Sequence, residues 1–305
     1  MGFEYGMATF LPFRDRDVCR RVRAIRKQDI TTHQNPEFRI RVVEDRGDLY
    51  REFASDIVNR IVRANEAGDR FVAIFPVGPM PQYALAAQTI NELKISCRQV
   101  HSFNMDEYAD EEGHSAPSSW PGSFQRSMME QFWGKVDEEL RPRAEQIHFP
   151  TSEVLPDYGA MIEDLGGADV CYGGIGWCGH IAFWEAHLGA EFDGDLTAFR
   201  NAGPRLVELH PMTIMQNALH SFSGDWSWVP PKATTIGPAQ ILGAKDRSFW
   251  LDGDLGGGVS WQRFIARLAA HGPVTPYVPG SLLQTVPGSY TILGGVADDV
   301  VISMS

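Results

Sequence analysis

Cys171-Tyr-Gly-Gly-Ile-Gly-Trp-Cys-Gly-His-Ile-Ala-Phe-Trp-Glu185 is the stretch whose reading decides the fold. The apolar run Ala168–Tyr172 leads into glycines at 173, 174, 176 and 179. A short apolar run bounded by glycines reads as the end of a buried strand. Glycine allows positive φ and lets other groups approach the main chain closely. A turn of this kind at the carboxyl end of a strand is where open α/β sheets bind ligands. His180 and Glu185 stand just beyond it. One titrates near neutral pH and the other is an acid, so the pair has the chemistry for proton transfer.

Outward from this turn, strand patterns alternate with helix patterns. Arg39–Val43, Phe71–Phe75, Val100–Met105, Gln146–Phe149, Leu206–Leu209, Ala233–Ile236, Phe249–Leu251, Tyr290–Leu293 and Val300–Ser303 read as strands. Asp48–Ala67, Tyr83–Leu93, Phe124–Trp133, Pro156–Leu165 and Val259–Ala270 read as helices. Helix Asp48–Ala67 carries Leu49, Phe53, Ile57, Ile61 and Val62 on one face, and Gly68 ends it. Strands alternating with helices predict an α/β fold, a mostly parallel sheet with helices on both faces. The pattern shows no internal repeat and no linker. It divides into an N-terminal extension, 1–35, and one α/β domain, 36–305.

At 305 residues and 43% hydrophobic content, the chain is long and apolar enough to bury a sizeable core. The net charge of −12 argues against a nucleic-acid or anionic-membrane partner. No run of about 18 apolar residues is present to span a membrane, and Met1–Phe13 lacks the basic start and cleavage site of a signal peptide. Cysteines 19, 97, 171 and 178 form no CxxC pair. Reduced thiols, a cytoplasmic location and no disulfide or zinc framework are therefore expected. The arginine-rich segment Phe13–Lys27 has Val18, Val22 and Ile25 at rough helical spacing. It reads as a solvated helix packing its apolar edge on the body rather than as a polyanion-binding arm.

A second acidic motif, Phe103-Asn-Met-Asp-Glu-Tyr108, closes a predicted strand. Side chains alternate along a strand, so Asp106 and Glu107 should point apart and only one should face a crevice. A carboxylate shielded there has a raised pKa and can carry a proton between neighbouring carbons. A helix-capping role is the alternative for either residue.

Phe103–Tyr108, together with Gly173-Gly-Ile-Gly and Gly179-His-Ile-Ala-Phe-Trp-Glu185, resembles the glucosamine-6-phosphate deaminase (isomerase) family. The likeness runs in order from about Asp48 to Val301. It implies a Rossmann-like α/β fold, similar to 6-phosphogluconolactonases and to some bacterial sugar-sensing domains. It also implies conversion of an amino-sugar phosphate to a ketose phosphate with release of ammonia. By this resemblance Asp106 is the proton shuttle between C2 and C1, acting through an enediol(amine). His180 assists ring opening, and Glu185 completes that group. No metal and no cofactor is implied. The implied partner is a small sugar or amino sugar, and a homo-oligomer is compatible with the resemblance.

The departures from the family pattern bear on specificity. Cys178 stands where the family has an aspartate orienting the histidine, and Trp177 and Trp184 replace asparagines. The family's phosphate loop, Pro-Thr-Gly-Ser/Gly-Thr-Pro, here reads Pro76-Val-Gly-Pro-Met-Pro81. Val77 and Met80 have no hydroxyl and Pro79 has no N–H. The family's phosphate-binding arginine and lysine align with Leu219 and Gly256. A phosphate dianion needs cations and many donors. The expectation is therefore an enolising centre acting on a sugar without the usual 6-phosphate. Its substrate-binding residues would be Gly78, Met80, Glu107, Gly176, Trp177, Cys178, Gly179 and Trp184. A catalytically impaired sugar-binding protein and a lactonase-like hydrolase using His180 as base are the rival readings.

Overall fold

The structure is a computed structural model that describes residues 3–302 and 304. Twelve strands are assigned among them. They are β1 (Phe38–Val43), β2 (Phe71–Phe75), β3 (Val100–Asn104), β4 (Asp106–Ala109), β5 (Ile147–His148), β6 (Val170–Gly173), β7 (Arg205–Glu208), β8 (Lys232–Thr235), β9 (Asp246–Leu251), β10 (Asp254–Gly256), β11 (Val259–Ser260) and β12 (Gly288–Leu293). The helices are α1 (Arg16–Arg23), α2 (Arg46–Ala67), α3 (Pro81–Glu92), α4 (Phe124–Gln131), α5 (Tyr158–Asp164), α6 (Leu196–Arg200), α7 (Pro211–Ser221), α8 (Pro238–Gly243), α9 (Arg263–His271) and α10 (Gly294–Ala297).

Seven strands pair in parallel in the order β1-β12-β9-β6-β2-β3-β5. Their apolar character follows from the architecture. All of β2 and all of β6 are buried, as strands covered on both faces must be. Helices surround the sheet. Leu49, Phe53, Ile57 and Ile61 of α2 lie in the same core as Phe71–Phe75. Asp45 caps the start of α2, and Gly68 ends it in the left-handed conformation at φ 72°.

From β2 the chain runs outward through β3 and β5, then returns to place β6 on the other side of β2. The order in which strands are added therefore reverses between β2 and β6, while the strands stay parallel. Loops leaving neighbouring strands at such a point diverge and open a crevice. A second, antiparallel sheet, β4-β8-β7, lies beyond it and has its own apolar cluster around Tyr108, Phe183, Trp184 and Phe199. Only Met105 separates β3 of the first sheet from β4 of the second.

Two expectations need correction. The helix expected from Val259 begins at Arg263, because Gly256, Gly257 and Gly258 take positive φ and close a β10–β11 hairpin first. No strand forms over residues 300–302, where Val301 and Ile302 are exposed, and Ser303 lies outside the described residues. The arginine-rich segment packs as read. Cys19 and Val22 of α1 are buried, and α1 lies against α9. Arg26 and Lys27 pair with Asp299, Asp298 and Glu44, so part of this basic charge is neutralised within the chain.

Candidate active site

Three chain crossings build the site: the loop after β2, the junction of β3 with β4, and the turn after β6. They meet at a cavity of about 990 Å³. Asp106 opens β4, where its backbone pairs with Thr235 of β8. Its carboxyl group is almost fully buried yet lines the cavity. Burial pushes its pKa up to about 8, the neighbouring Glu107 adds to the rise, and the charge of His180 opposes it.

Glu107 points the other way, as strand alternation requires. It is completely buried and accepts hydrogen bonds from the N–H groups of Tyr108 (2.9 Å), Phe124 (2.9 Å) and Gln125 (2.8 Å) and from the Ser123 hydroxyl (3.0 Å). These donors belong largely to the first turn of α4, whose N–H groups have no partner within the helix. The two carboxyl groups are thus divided, Asp106 toward the cavity and Glu107 toward the start of α4. Glu107 caps α4 and, although expected among the substrate-binding residues, does not line the cavity.

His180 lies in the turn after β6. The Gly176 N–H donates to the His180 carbonyl at 3.0 Å, and Gly179 takes φ 93°. A Cβ at residue 176 would overlap the imidazole on its Nε2 side, so only glycine admits the ring. The other nitrogen, Nδ1, faces a buried polar group. It lies 3.0 Å from Thr213 Oγ1, 3.3 Å from Cys178 Sγ and 3.3 Å from Glu185 Oε2. Burial alone would lower the imidazole pKa, but the Glu185 carboxylate and Cys178 hold it well above its ordinary value. Burial would likewise raise Glu185, and the imidazolium holds it below the usual carboxylate range. The two shifts agree on an ion pair.

Glu185 thus occupies the orienting place that the sequence left open when Cys178 replaced an aspartate. It is fully buried, does not line the cavity, and lies against His180 Nδ1, a place from which a carboxylate can hold an imidazole in one orientation.

Of the residues singled out in the sequence, Gly78, Met80, Asp106, Gly176 and His180 meet at the cavity. Glu107, Trp177, Cys178, Gly179, Trp184 and Glu185 do not line it. Trp184 packs against Phe199 and under Arg205. Trp177 leans on Trp261, and its backbone N–H donates to Gln216 Oε1 at 2.7 Å. Gly179 packs on Val278 and Ile265.

The remaining wall is aromatic and polar, with Tyr50, Trp120, Phe222, His220, Trp228, Trp250, Trp261 and Asp252. The Tyr50 hydroxyl donates to Asp252 at 2.8 Å. Asp252 just beyond β9 was legible as a strand-end carboxylate. Tyr50 and His220 sit on helices whose patterns gave no functional signal. Among the described residues, no lysine or arginine lines the cavity. Arg46, beside Asp252, spends its donors on the carbonyls of Asp252 and Asp254. Leu219 and Gly256, where the family's cations were aligned, are absent from the wall.

The arrangement offers the Asp106 carboxyl group, with a pKa of about 8, and the imidazole of His180, both facing a hollow large enough for a monosaccharide.

Known proteins bear on this arrangement. No family model matches the chain. The chain is 31% identical over 214 residues to a Caenorhabditis elegans glucosamine-6-phosphate deaminase, covering 67% of this chain and 73% of that protein. It is 30% identical over 266 residues to the deaminase of Rhodopirellula baltica, covering 85% and 94%. Among solved structures it is similar to a monomeric glucosamine-6-phosphate deaminase of the NagB superfamily, with TM-score 0.70 and 22% identity, covering 85% of this chain and 98% of that one. It is also similar in fold to a 6-phosphogluconolactonase from Thermotoga maritima, with TM-score 0.56 and 14% identity, covering 83% and 98%. With sequence likeness spanning most of both chains and the same α/β architecture, the chain belongs to the glucosamine-6-phosphate deaminase family.

Proposed function

We propose that this chain is an aldose–ketose isomerase or deaminase working through an enediol(amine), on a sugar or amino sugar that lacks the 6-phosphate of the family's substrate. Asp106 is the acid/base that carries a proton between adjacent sugar carbons. A carboxyl group of pKa about 8 takes and returns such a proton near neutrality. His180, with its Nδ1 held beside Glu185, lines the cavity and assists ring opening. Met80 and Gly78 line the neighbouring wall, and the aromatic faces suit sugar C–H surfaces.

The observation that carries the specificity is the lining itself, which holds Asp106 and Asp252 and, among the described residues, no basic side chain apart from histidine. A dianion placed there would lose hydration without gaining a cation, at a cost of several kcal/mol. The experiment is to incubate the protein with phosphorylated and unphosphorylated amino sugars and follow ammonia and ketose. Turnover of the unphosphorylated compounds, abolished by Asp106→Asn, is expected. Efficient turnover of glucosamine 6-phosphate would overturn the specificity assignment. Acid release from a lactone without ketose formation would favour a hydrolase.

A further inference from the structure

We propose that Gln216 and His220 of α7, together with Asp252, set the substrate class of the cavity by reading the hydroxyl groups of a neutral sugar, with His220 and Asp252 at the end remote from His180. This assignment rests on the reading of the cavity as a sugar site and names what that sugar must carry. α7 starts beside the imidazole, where Thr213 Oγ1 lies 3.0 Å from His180 Nδ1. Gln216, Asn217 and His220 follow Thr213 at three, four and seven residues, the spacing of one helix face, and all three line the cavity. Met215 and Leu219, on the other side of the helix, do not. At about 1.5 Å per residue, His220 lies roughly 10 Å along the axis from Thr213. It is solvent-exposed as well as part of the lining, which puts it at the cavity mouth. The strip therefore runs from the imidazole past the length of one pyranose.

Two tryptophans fix what these side chains offer. The backbone N–H of Trp177 donates to Gln216 Oε1 at 2.7 Å, so Nε2 and its two hydrogens are left over. The indole N–H of Trp261 donates to His220 Nε2 at 2.7 Å. An indole nitrogen can only donate, so Nε2 is unprotonated and the imidazole is neutral, with its proton on Nδ1. Trp177 and Trp261 lean on one another with ring centroids 6.1 Å apart, so the two locks form one layer. Asn217 lines the cavity between them, and its buried Nδ2 has no hydrogen-bond partner among the described residues. The strip thus holds unspent N–H donors and no charge.

Neighbouring polar groups are already spent. Gln262 accepts the N–H of Gly253 at 2.8 Å and donates to the carbonyl of Ile175 at 2.6 Å, and the Trp250 indole donates to Ser248 Oγ at 2.9 Å. Asp252 differs. Its Oδ2 accepts the Tyr50 hydroxyl at 2.8 Å, and Oδ1 has no partner among the described residues. Arg46 Nη1 stands 4.0 Å from Oδ2, beyond hydrogen-bond reach. Gly253, next in the chain, packs so closely on the Trp261 ring that a Cβ there would lie 2.7 Å from it. Asp252 and the Trp261-bound His220 therefore share one end of the cavity. A hydroxyl group gives one hydrogen and accepts others, so a carboxylate beside a neutral N–H donor suits it. A phosphate dianion has no hydrogen for Asp252 and meets a like charge.

The test is a cycle between side chain and sugar in the full-length protein. Binding is read from the fluorescence of the tryptophans that line the cavity, and turnover is followed separately. The probes are glucosamine, 6-deoxyglucosamine and glucosamine 6-phosphate. Wild type should bind glucosamine about fivefold more tightly than the 6-deoxy sugar, and more tightly than the phosphate ester. His220→Phe should remove most of the preference for the 6-hydroxyl, whereas a purely structural role would weaken both sugars alike. Asp252→Asn should reduce that preference and relax the discrimination against the phosphate. Gln216→Met, nearer the imidazole, should weaken glucosamine and its 6-deoxy analogue equally. Leu219→Ala, on the same helix but off the wall, should change neither, and circular dichroism checks folding. Wild type indifferent to the 6-hydroxyl overturns the assignment even if sugars are isomerised. So do folded His220→Phe and Asp252→Asn variants that keep the whole preference. A preference that His220→Phe removes, without turnover of any sugar, upholds the assignment and sinks the isomerase reading instead. Tighter binding of the phosphate ester, or no binding of any probe, overturns both.

Discussion

Replacing Asp106 by asparagine should abolish catalysis and, at alkaline pH, strengthen the fold. An aspartate in the unfolded chain titrates near 3.9. In the folded protein burial moves it to about 8. Between those values the native state holds a proton that the unfolded state has lost, so stability falls as pH rises. The loss is complete above the folded pKa. A displacement of roughly four units corresponds to about 5 kcal/mol. Asparagine has nearly the same shape and cannot ionise, so it escapes this loss. At pH 9 the variant should melt on the order of 10 °C above wild type, and the gap should close toward pH 5. Catalysis should move the other way. A proton acceptor with a pKa of about 8 is roughly one-tenth ionised at pH 7. Wild-type kcat/KM should therefore climb about tenfold from pH 7 toward alkaline values, and the variant should lose on the order of 10²–10⁴-fold. Calorimetry across pH and a coupled ketose assay measure the two arms. A variant no more stable than wild type at pH 9, or one keeping more than a tenth of the activity, would refute the assignment of a buried, proton-carrying carboxyl group.

Other substitutions probe the remaining walls. Met80→Lys should place a cation on the cavity wall and tighten inhibition by sugar phosphates about 10–100-fold relative to unphosphorylated sugars, measured as a ratio of inhibition constants. Gly176→Ala drives a methyl group into the His180 ring, so kcat should drop on the order of 10²-fold while circular dichroism stays native. Glu107→Ala strands three backbone N–H groups and the Ser123 hydroxyl. It should cost about 3 kcal/mol in denaturant unfolding and leave the KM for sugar nearly unchanged.

Much of this molecule can be read from its sequence because its strands are short, apolar and bounded by glycine or polar turns. Phe71–Phe75 was placed to the residue, since a buried parallel strand has no polar face to blur its ends. Alternation alone separated Asp106 from Glu107, and the structure then supplied what alternation cannot, which of the two faces the cavity. The role of Glu185 was harder. Its distance in space from Nδ1 depends on how the turn folds back, and five residues of separation do not encode that. Trp177 and Trp184 illustrate the limit for aromatics. Composition marks them as sugar-facing or packing with equal ease, and the second apolar cluster claims Trp184 for packing. The 259–270 helix was started too early because the three-glycine hairpin before it has no periodicity to announce it.

Thr235 joins the two halves of the site. Its backbone pairs with Asp106, and its hydroxyl accepts the N–H of Phe183, three residues past His180. One small side chain therefore acts as a gauge block between Asp106 and the turn that carries His180. The threonine-to-valine change, almost invisible in volume, would release the turn while leaving both reactive groups in place. The spacing of Asp106 and His180 thus rests on a third residue that reaches both through one backbone and one hydroxyl.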